Sequence, residues 1–189
     1  MLEFFRLGRI IGFTSSLVML ALAKRSLRQS GMTLSRDVSN TDLAVLYLYT
    51  HQDLSVYHYK SINDVLRGKS HARSREILEI AAMLASALGK MPVHQGYCVR
   101  YVSLSAIELL DYIVGNTVTF EAFSSSSANM SLFWPLNVRF TVISNSGRDI
   151  SSVSRYPKEK EVLFAPKSRF KVLQSSASGG ISDIVLREV

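Results

Sequence analysis

Two glutamates separated by one lysine, Glu159 and Glu161, stand at the entrance to an apolar segment that ends at Phe164. In a β-strand alternate side chains share a face, so the two carboxylates are expected to project together, roughly 7 Å apart at the backbone. Paired carboxylates suit reactions that pass through a sugar oxocarbenium ion, because one carboxylate stabilises the positive charge while the other transfers a proton or positions a nucleophile. The alternative is an edge strand whose alternating charges keep the protein soluble.

Two further polar features precede this pair. Arg100 lies within an apolar strand predicted over residues 97–102, where burying an unpaired guanidinium is costly, so an anion from ligand or protein is expected beside it. The serine cluster at residues 124–127 can hydrogen-bond a ligand and a carboxylate, or can simply be a polar strand end and turn. An arginine, a serine and a glutamate therefore follow one another as Arg100, Ser125 and Glu161.

Helical signals dominate the first half of the chain and strand signals the second. Helices are predicted at residues 43–49, 61–67, 77–88 and 105–113, and strands at residues 97–102, 117–123, 137–144, 161–165, 169–173 and 184–189. Residues 174–182 are predicted to form a flexible loop. This order indicates an α+β fold with a helical N-terminal half packed on a strand-rich C-terminal half.

Composition sets limits on the partners. A chain of 189 residues with 47% hydrophobic residues is expected to form one domain, and the lone Cys98 excludes an internal disulfide framework and a multi-cysteine zinc site. The four histidines have no metal-ligand spacing, so no metal is expected. Net charge is +7, but the basic residues are scattered beyond Lys24-Arg25, so no nucleic-acid partner is expected.

The amino terminus has the residue pattern of an export signal. After Arg6 and Arg9 an apolar run ends in Ala21-Leu22-Ala23, which predicts a signal peptide over residues 1–23 and secretion. The run is short for a transmembrane helix, so no stable membrane insertion is expected. The alternatives are an uncleaved interfacial or buried helix, a marginal anchor, and a cytoplasmic protein. Residues 24–40 are predicted to be a linker and residues 41–189 the functional domain.

Ordered segments of the chain resemble a known family. Tyr97-Cys98-Val99-Arg100 is similar to an arginine strand, residues 123–127 to a Phe-x-Ser-Thr-Ser motif, and residues 147–164 to the loop and strand that carry a catalytic glutamate. Residues 49–50, 59–63 and 66–68 are similar to the helical segments that precede that strand. Together, over residues 43–189, these segments resemble the mono-ADP-ribosyltransferases of the Arg-Ser-Glu class, which includes secreted bacterial toxins and animal ectoenzymes.

This resemblance implies a mixed β-sandwich around an NAD cleft and a reaction that needs no metal. Arg100 would bind the pyrophosphate or ribose of NAD, Ser125 and Ser126 would line the pocket, and Glu161 would be the catalytic glutamate. Phe133 or Trp134 would stack on nicotinamide.

The resemblance also implies the second substrate. Glu159 would orient or deprotonate the acceptor, which its residue type makes an accessible arginine of a target protein, and Tyr156 would face that substrate. The enzyme would be secreted and delivered into a target cell. The alternatives are an NAD glycohydrolase and a catalytically weak NAD-binding module of the same fold.

The chain departs from the family pattern at two positions. Tyr101 stands where glycine is common and could narrow the nucleotide cleft, and Ser126 replaces a threonine. The animal enzymes are usually disulfide-bonded, so the lone Cys98 makes the resemblance nearer to the bacterial toxins.

Overall fold

A computed structural model describes residues 2–51 and 56–189 of the chain. It divides into two compact units, one made of residues 1–92 and 149–157 and the other of residues 93–148 and 158–189. Helices build the first unit and strands dominate the second, which confirms the α+β class predicted from the sequence.

One buried helix lies at the centre of the first unit. The unit contains α1 (Leu2–Ile11), α2 (Phe13–Ser30), α3 (Asn40–Thr50), α4 (Tyr59–Leu66), α5 (Ser74–Gly89) and a 3₁₀ turn (Ser151–Val153). Ser39 begins α3 with a capping box, in which its hydroxyl accepts from the Asp42 amide and the Asp42 carboxylate accepts from the Ser39 amide. Every α3 residue from Thr41 to Thr50 is buried, because α2 and α5 pack against it.

The amino-terminal segment forms two helices that meet at a sharp bend. Gly12 has a φ of +89°, and α1 and α2 are bent by 114° around it. Residues 24–30, expected in a linker, instead continue α2 to Ser30, and the buried Ser26 extends the inner face of the helix past Ala23. Among the described residues no single helix is long and apolar enough to cross a membrane, although α1 and α2 together meet that length and composition.

The second unit is built on a mixed eight-stranded sheet in the order β2-β7-β8-β4-β1-β3-β6-β5. Its elements are β1 (Gly96–Val102), α6 (Ala106–Leu109), β2 (Thr117–Phe120), β3 (Ser124–Ser127), β4 (Val138–Ser144), β5 (Arg148–Asp149), β6 (Glu161–Phe164), β7 (Ser168–Ser178) and β8 (Ile181–Glu188). The β4–β8 pair is parallel. A core cluster joins both ends of this order, with the rings of Phe164 on β6 and Phe170 on β7 only 5.2 Å apart.

The main differences from the sequence prediction concern three segments. Residues 174–182 are not a loop but the end of a β7–β8 hairpin, whose two-residue turn is made by Gly179 and Gly180 at φ +58° and +80°. Residues 124–127 form a separate strand rather than the end of a strand begun at residue 117. The helix predicted through residue 113 ends at Leu109.

A glycine allows β6 to lie close to the turn after β4. A Cβ atom on Gly147 would meet the Ser144 hydroxyl at 2.6 Å and the side chains of Val162 and Phe164 at 2.8 Å. Only glycine fits at this close approach. The turn therefore supports the strand that begins with Glu161.

Candidate active site

A continuous series of hydrogen bonds connects Arg100, Ser125 and Glu161. The Arg100 guanidinium donates through Nη1 to the backbone carbonyl of Ser125, and the Ser125 hydroxyl donates to Oε1 of Glu161. These residues come from β1, β3 and β6, which are neighbours in the sheet. Three side chains that are far apart in the sequence are thus fixed relative to one another.

Strand register places Glu161 on the sheet face that carries alternate serines. Ser127 pairs with Glu161 and Ser125 with Leu163, so Ser125, Ser127 and Glu161 share a face. Val162 and Phe164 point to the opposite face, into the core cluster. Glu161 is 9% exposed, and a buried carboxylate held by a hydroxyl donor is preorganised to stabilise a developing positive charge.

Glu159 does not belong to the strand that begins with Glu161, so the prediction of strand alternation across the pair is wrong. Glu159 ends a 3₁₀ turn (Pro157–Glu159), and Lys160 has a φ of +46° in the left-handed region. Pro157 fixes φ and has no amide hydrogen for a strand ladder, and the left-handed residue interrupts the alternation. Glu159 therefore lies in a turn that precedes the strand of Glu161.

Two hydrogen bonds fasten this turn to the end of β3. The Ser127 hydroxyl donates to the Glu159 carbonyl at 2.5 Å, and the Ala128 amide donates to the Lys160 carbonyl at 2.9 Å. Sequence reasoning did not assign Ser127 a role, although its spacing from Ser125 would have placed both on one strand face. Burial raises the pKa of the Glu159 carboxyl above its usual range.

Ser126 is separated from this hydrogen-bonded series. It alternates with Ser125 and Ser127, and its buried side chain lies beside Cys98. Burial raises the pKa of the Cys98 thiol to about 12, so this thiol is protonated at neutral pH and is not a nucleophile. The structure does not bring the Ser126 side chain together with Glu161.

An aromatic cluster lies on a loop beside β1. The Tyr101 ring contacts Phe133 and Trp134 edge-to-face, with centroid distances of 5.6 and 6.0 Å. Val99 pairs with Ser127, and alternation along β1 puts Tyr101 on the same face as Val99. The side chain that replaces the family glycine thus contacts both candidates for nicotinamide stacking on the face that carries Glu161.

Tyr156 belongs to the first unit. Its amide donates to the Ser154 hydroxyl at 3.2 Å, and the Arg155 guanidinium lies 5.3 Å from the centroid of its ring. The residue is 39% exposed. Over residues 2–51 and 56–189, no three His, Cys, Asp or Glu side chains are grouped as ligands of a metal ion.

Comparison with known proteins finds related sequences and related structures. The model of the family described as NAD:arginine ADP-ribosyltransferase matches residues 14–189. The NAD(+)–protein-arginine ADP-ribosyltransferase Tre1 of Serratia proteamaculans is 27% identical over 183 residues, which are 97% of this chain and 40% of Tre1. Mav of Mycobacterium avium is 36% identical over 143 residues, 74% of this chain and 16% of that protein. The chain thus spans less than half the length of these two relatives.

Solved structures share the fold. The type III effector XopAI from Xanthomonas axonopodis pv. citri has a TM-score of 0.72 and 23% identity, covering 90% of this chain and 71% of that chain. The ADP-ribosyltransferase Vis from Vibrio splendidus, solved in complex with agmatine, has a TM-score of 0.70 and 21% identity, covering 90% of this chain and 84% of that chain. The fold expected from the motifs is confirmed.

Proposed function

Because the chain belongs to the NAD:arginine ADP-ribosyltransferase family, we propose that it transfers ADP-ribose from NAD to an arginine of a target protein and releases nicotinamide. The observation that carries this proposal is the hydrogen-bonded series from Arg100 through Ser125 to Glu161. The acceptor class is supported by the name of Tre1, a protein-arginine ADP-ribosyltransferase, and by agmatine, a guanidine compound, in the Vis complex.

The residues present fit NAD as a substrate. A guanidinium offers forked donors for a pyrophosphate or ribose, and Arg100 is the guanidinium in the series. Phe133 and Trp134 offer aromatic faces for nicotinamide, and Ser125 holds the Glu161 carboxylate for a ribose hydroxyl. Ser126 supports the pocket from within β3 rather than by direct contact.

Glu161 and Glu159 have different tasks in this proposal. The bond between the ribose C1 and the nicotinamide nitrogen breaks, nicotinamide leaves with the bonding electrons, and Glu161 stabilises the cationic character left on the ribose. An arginine nitrogen then bonds to C1, and its proton passes to Glu159. The acceptor guanidinium is protonated at all working pH values, so transfer needs a base, and the raised pKa of Glu159 makes it a stronger one. Tyr156 contacts the incoming substrate.

The experiment replaces each glutamate in turn. Glu161→Gln should lower both transfer and NAD hydrolysis by about 10²- to 10³-fold, as for removal of an electrostatic stabiliser. Glu159→Gln should lower transfer to agmatine by about 10²-fold or more while hydrolysis continues, because water needs less positioning than arginine. Nicotinamide release and ADP-ribosyl-agmatine formation are measured together. Glu121→Gln, in an exposed ion pair with Lys167, is the matched control and should change neither rate.

Equal loss of both activities in the two glutamate variants would disprove the division of labour. Hydrolysis without any transfer in the wild type would make the chain an NAD glycohydrolase. If the folded wild-type protein released no nicotinamide, it would be a catalytically weak NAD-binding module, and the transferase proposal would fail.

We also propose that the protein acts outside the cell that makes it, as a toxin or effector. Relatives named as a toxin and a type III effector support this.

For residues 1–23, the packing of α2 favours a retained helix over a cleaved signal peptide. The helix has one buried face, formed by Ser16, Met19, Ala23 and Ser26. The Ser26 hydroxyl also donates to the Ser154 carbonyl at 2.9 Å. An intact mass beginning at Lys24 in protein recovered outside the cell would overturn this choice.

A further inference from the structure

The outward face of α1 combines large apolar side chains with arginines. Leu2, Phe5, Arg6 and Arg9 are exposed and follow the i, i+3, i+4, i+7 spacing of one helix face, and Arg6 forms an ion pair with Glu79 of α5 at 3.1 Å. Leu7 and Gly8 are buried on the other side. Leu2 is 88% exposed and Phe5 53% exposed, so this face is not covered within the first unit.

The outward face of α2 has the same character. Phe13, Leu17 and Val18 are exposed near its start, and Arg25 and Arg28 are exposed near its end. Leu17, Val18, Arg25 and Arg28 lie opposite the buried face of the helix.

The two exposed apolar faces are continuous. The rings of Phe5 on α1 and Phe13 on α2 are in contact, with centroids 5.7 Å apart. We call the surface formed by Leu2, Phe5, Phe13, Leu17 and Val18 the N-terminal apolar surface. A contiguous patch of this kind marks an interaction site more often than isolated exposed side chains do.

Charge distinguishes this surface from a second exposed apolar segment, the one around α6. Residues 2–30 contain five basic side chains and one acidic side chain, a net charge of +4. The apolar residues around α6, Ile107, Leu110, Ile113 and Val114, are also exposed, but Glu108 and Asp111 lie among them. Only the first of these two surfaces combines apolar side chains with an excess of positive charge.

We propose that the N-terminal apolar surface binds an anionic lipid bilayer, with α1 and α2 lying along the interface rather than crossing it. Phe, Leu and Val side chains enter the boundary between headgroups and acyl chains, while Arg9, Arg25 and Arg28 pair with lipid phosphates and carboxylates. The bend at Gly12 lets α1 and α2 both turn their outward faces to the bilayer.

The test measures co-sedimentation of the full chain with phosphatidylcholine vesicles that contain or lack phosphatidylserine. Binding should require phosphatidylserine and weaken as salt is added. Arg25→Gln should lower the partition coefficient about fivefold, as expected for one basic residue near an anionic surface. Phe5→Glu and Leu17→Glu should each abolish binding, because each removes apolar contact and adds negative charge. Ile107→Glu is the matched control and should bind as the wild type does.

Circular dichroism and thermal melting establish that each variant is folded. Equal binding to vesicles without phosphatidylserine, or unchanged binding of folded Leu17→Glu protein, would overturn the proposal. A third result would also overturn it: the wild type binds no vesicles and sediments as a dimer, and Leu17→Glu dissociates that dimer. A second copy of the chain would then cover the surface.

Discussion

Burial of Glu159 gives the proposed transfer reaction a distinctive pH dependence. The pKa of this carboxyl is raised, and its basic form is present above that pKa. As the pH falls, the basic form is therefore lost at a higher pH than in an exposed glutamate. The ratio of transfer to hydrolysis should therefore fall on acidification in the wild type. In Glu159→Gln the ratio should be low and independent of pH. A wild-type ratio that is constant between about pH 4 and 8 would remove Glu159 as the base.

Tyr101 should order the aromatic loop before NAD binds. Tyr101→Ala removes the contacts with Phe133 and Trp134 and should raise the dissociation constant for NAD about two- to tenfold, as for loss of an aromatic pair. Trp134 is the sole tryptophan, so a red shift of its fluorescence without NAD would report loop disorder directly.

Two controls accompany the Tyr101 prediction. Tyr101→Phe keeps the ring and should behave as the wild type. Tyr97→Ala removes a more exposed ring from the same strand and should leave Trp134 fluorescence unchanged. If Tyr101→Ala instead tightened NAD binding, the tyrosine would be an obstruction to the nucleotide rather than a support for the loop.

The sequence predicted a common site for Arg100, Ser125 and Glu161 from their family order, and the hydrogen bonds that connect the three residues agree with that prediction. Their roles in catalysis stay predictions. The position of Glu159 was not predictable in the same way. A left-handed lysine carries no compositional signal, since glycine or asparagine is the usual residue at positive φ, and at Lys160 the surrounding hydrogen bonds decide the conformation.

At the level of helices and strands, α2 is expected to be a structural part of the first unit. Met19 is 1% exposed on its inner face, so Met19→Ala should lower the free energy of unfolding by about 2–5 kcal/mol through loss of packing. Leu17→Ala, on the outer face of the same helix, should change it by less than about 0.5 kcal/mol. Denaturant unfolding measures both. Equal effects would mean that α2 does not pack as described.

Elements with one strong signal were predictable, and elements with two competing signals were not. The helices that follow Ser39 and Ser105 were predicted, and in the structure both serines form capping boxes. Residues 174–182 were predicted as a loop because serines and glycines dominate them, but strand pairing rather than side-chain burial holds the serines at 175, 176 and 178 in a strand. The Ala-x-Ala pattern at residues 21–23 matched a cleavage site while also forming an ordinary stretch of amphipathic helix.

At the level of the whole molecule, the chain passes between its two compact units three times, so each unit is built from two separate segments. Tyr156 lies in one unit and Glu159 in the other, although only two residues separate them. A truncation before residue 93 would remove only the larger segment of the first unit and would keep both segments of the second, together with Tyr156.

Membrane binding would also select among acceptors. If the N-terminal apolar surface holds the protein on anionic vesicles, an arginine peptide anchored to those vesicles should be modified on the order of tenfold faster than the same peptide in solution. The Leu17→Glu variant should modify both peptides equally. A wild-type preference that survived this substitution would have to come from the peptide sequence rather than from the surface.

The inert Cys98 makes the protein suitable for site-directed labelling. Its thiol is fully buried and protonated at neutral pH, and the sequence has no other cysteine. A maleimide or nitroxide reagent should therefore leave the wild type unmodified. A cysteine placed at the exposed Lys158 would then be the only site of attachment. A spectroscopic probe there would report on the 3₁₀ turn that carries Glu159, and no native cysteine would have to be removed.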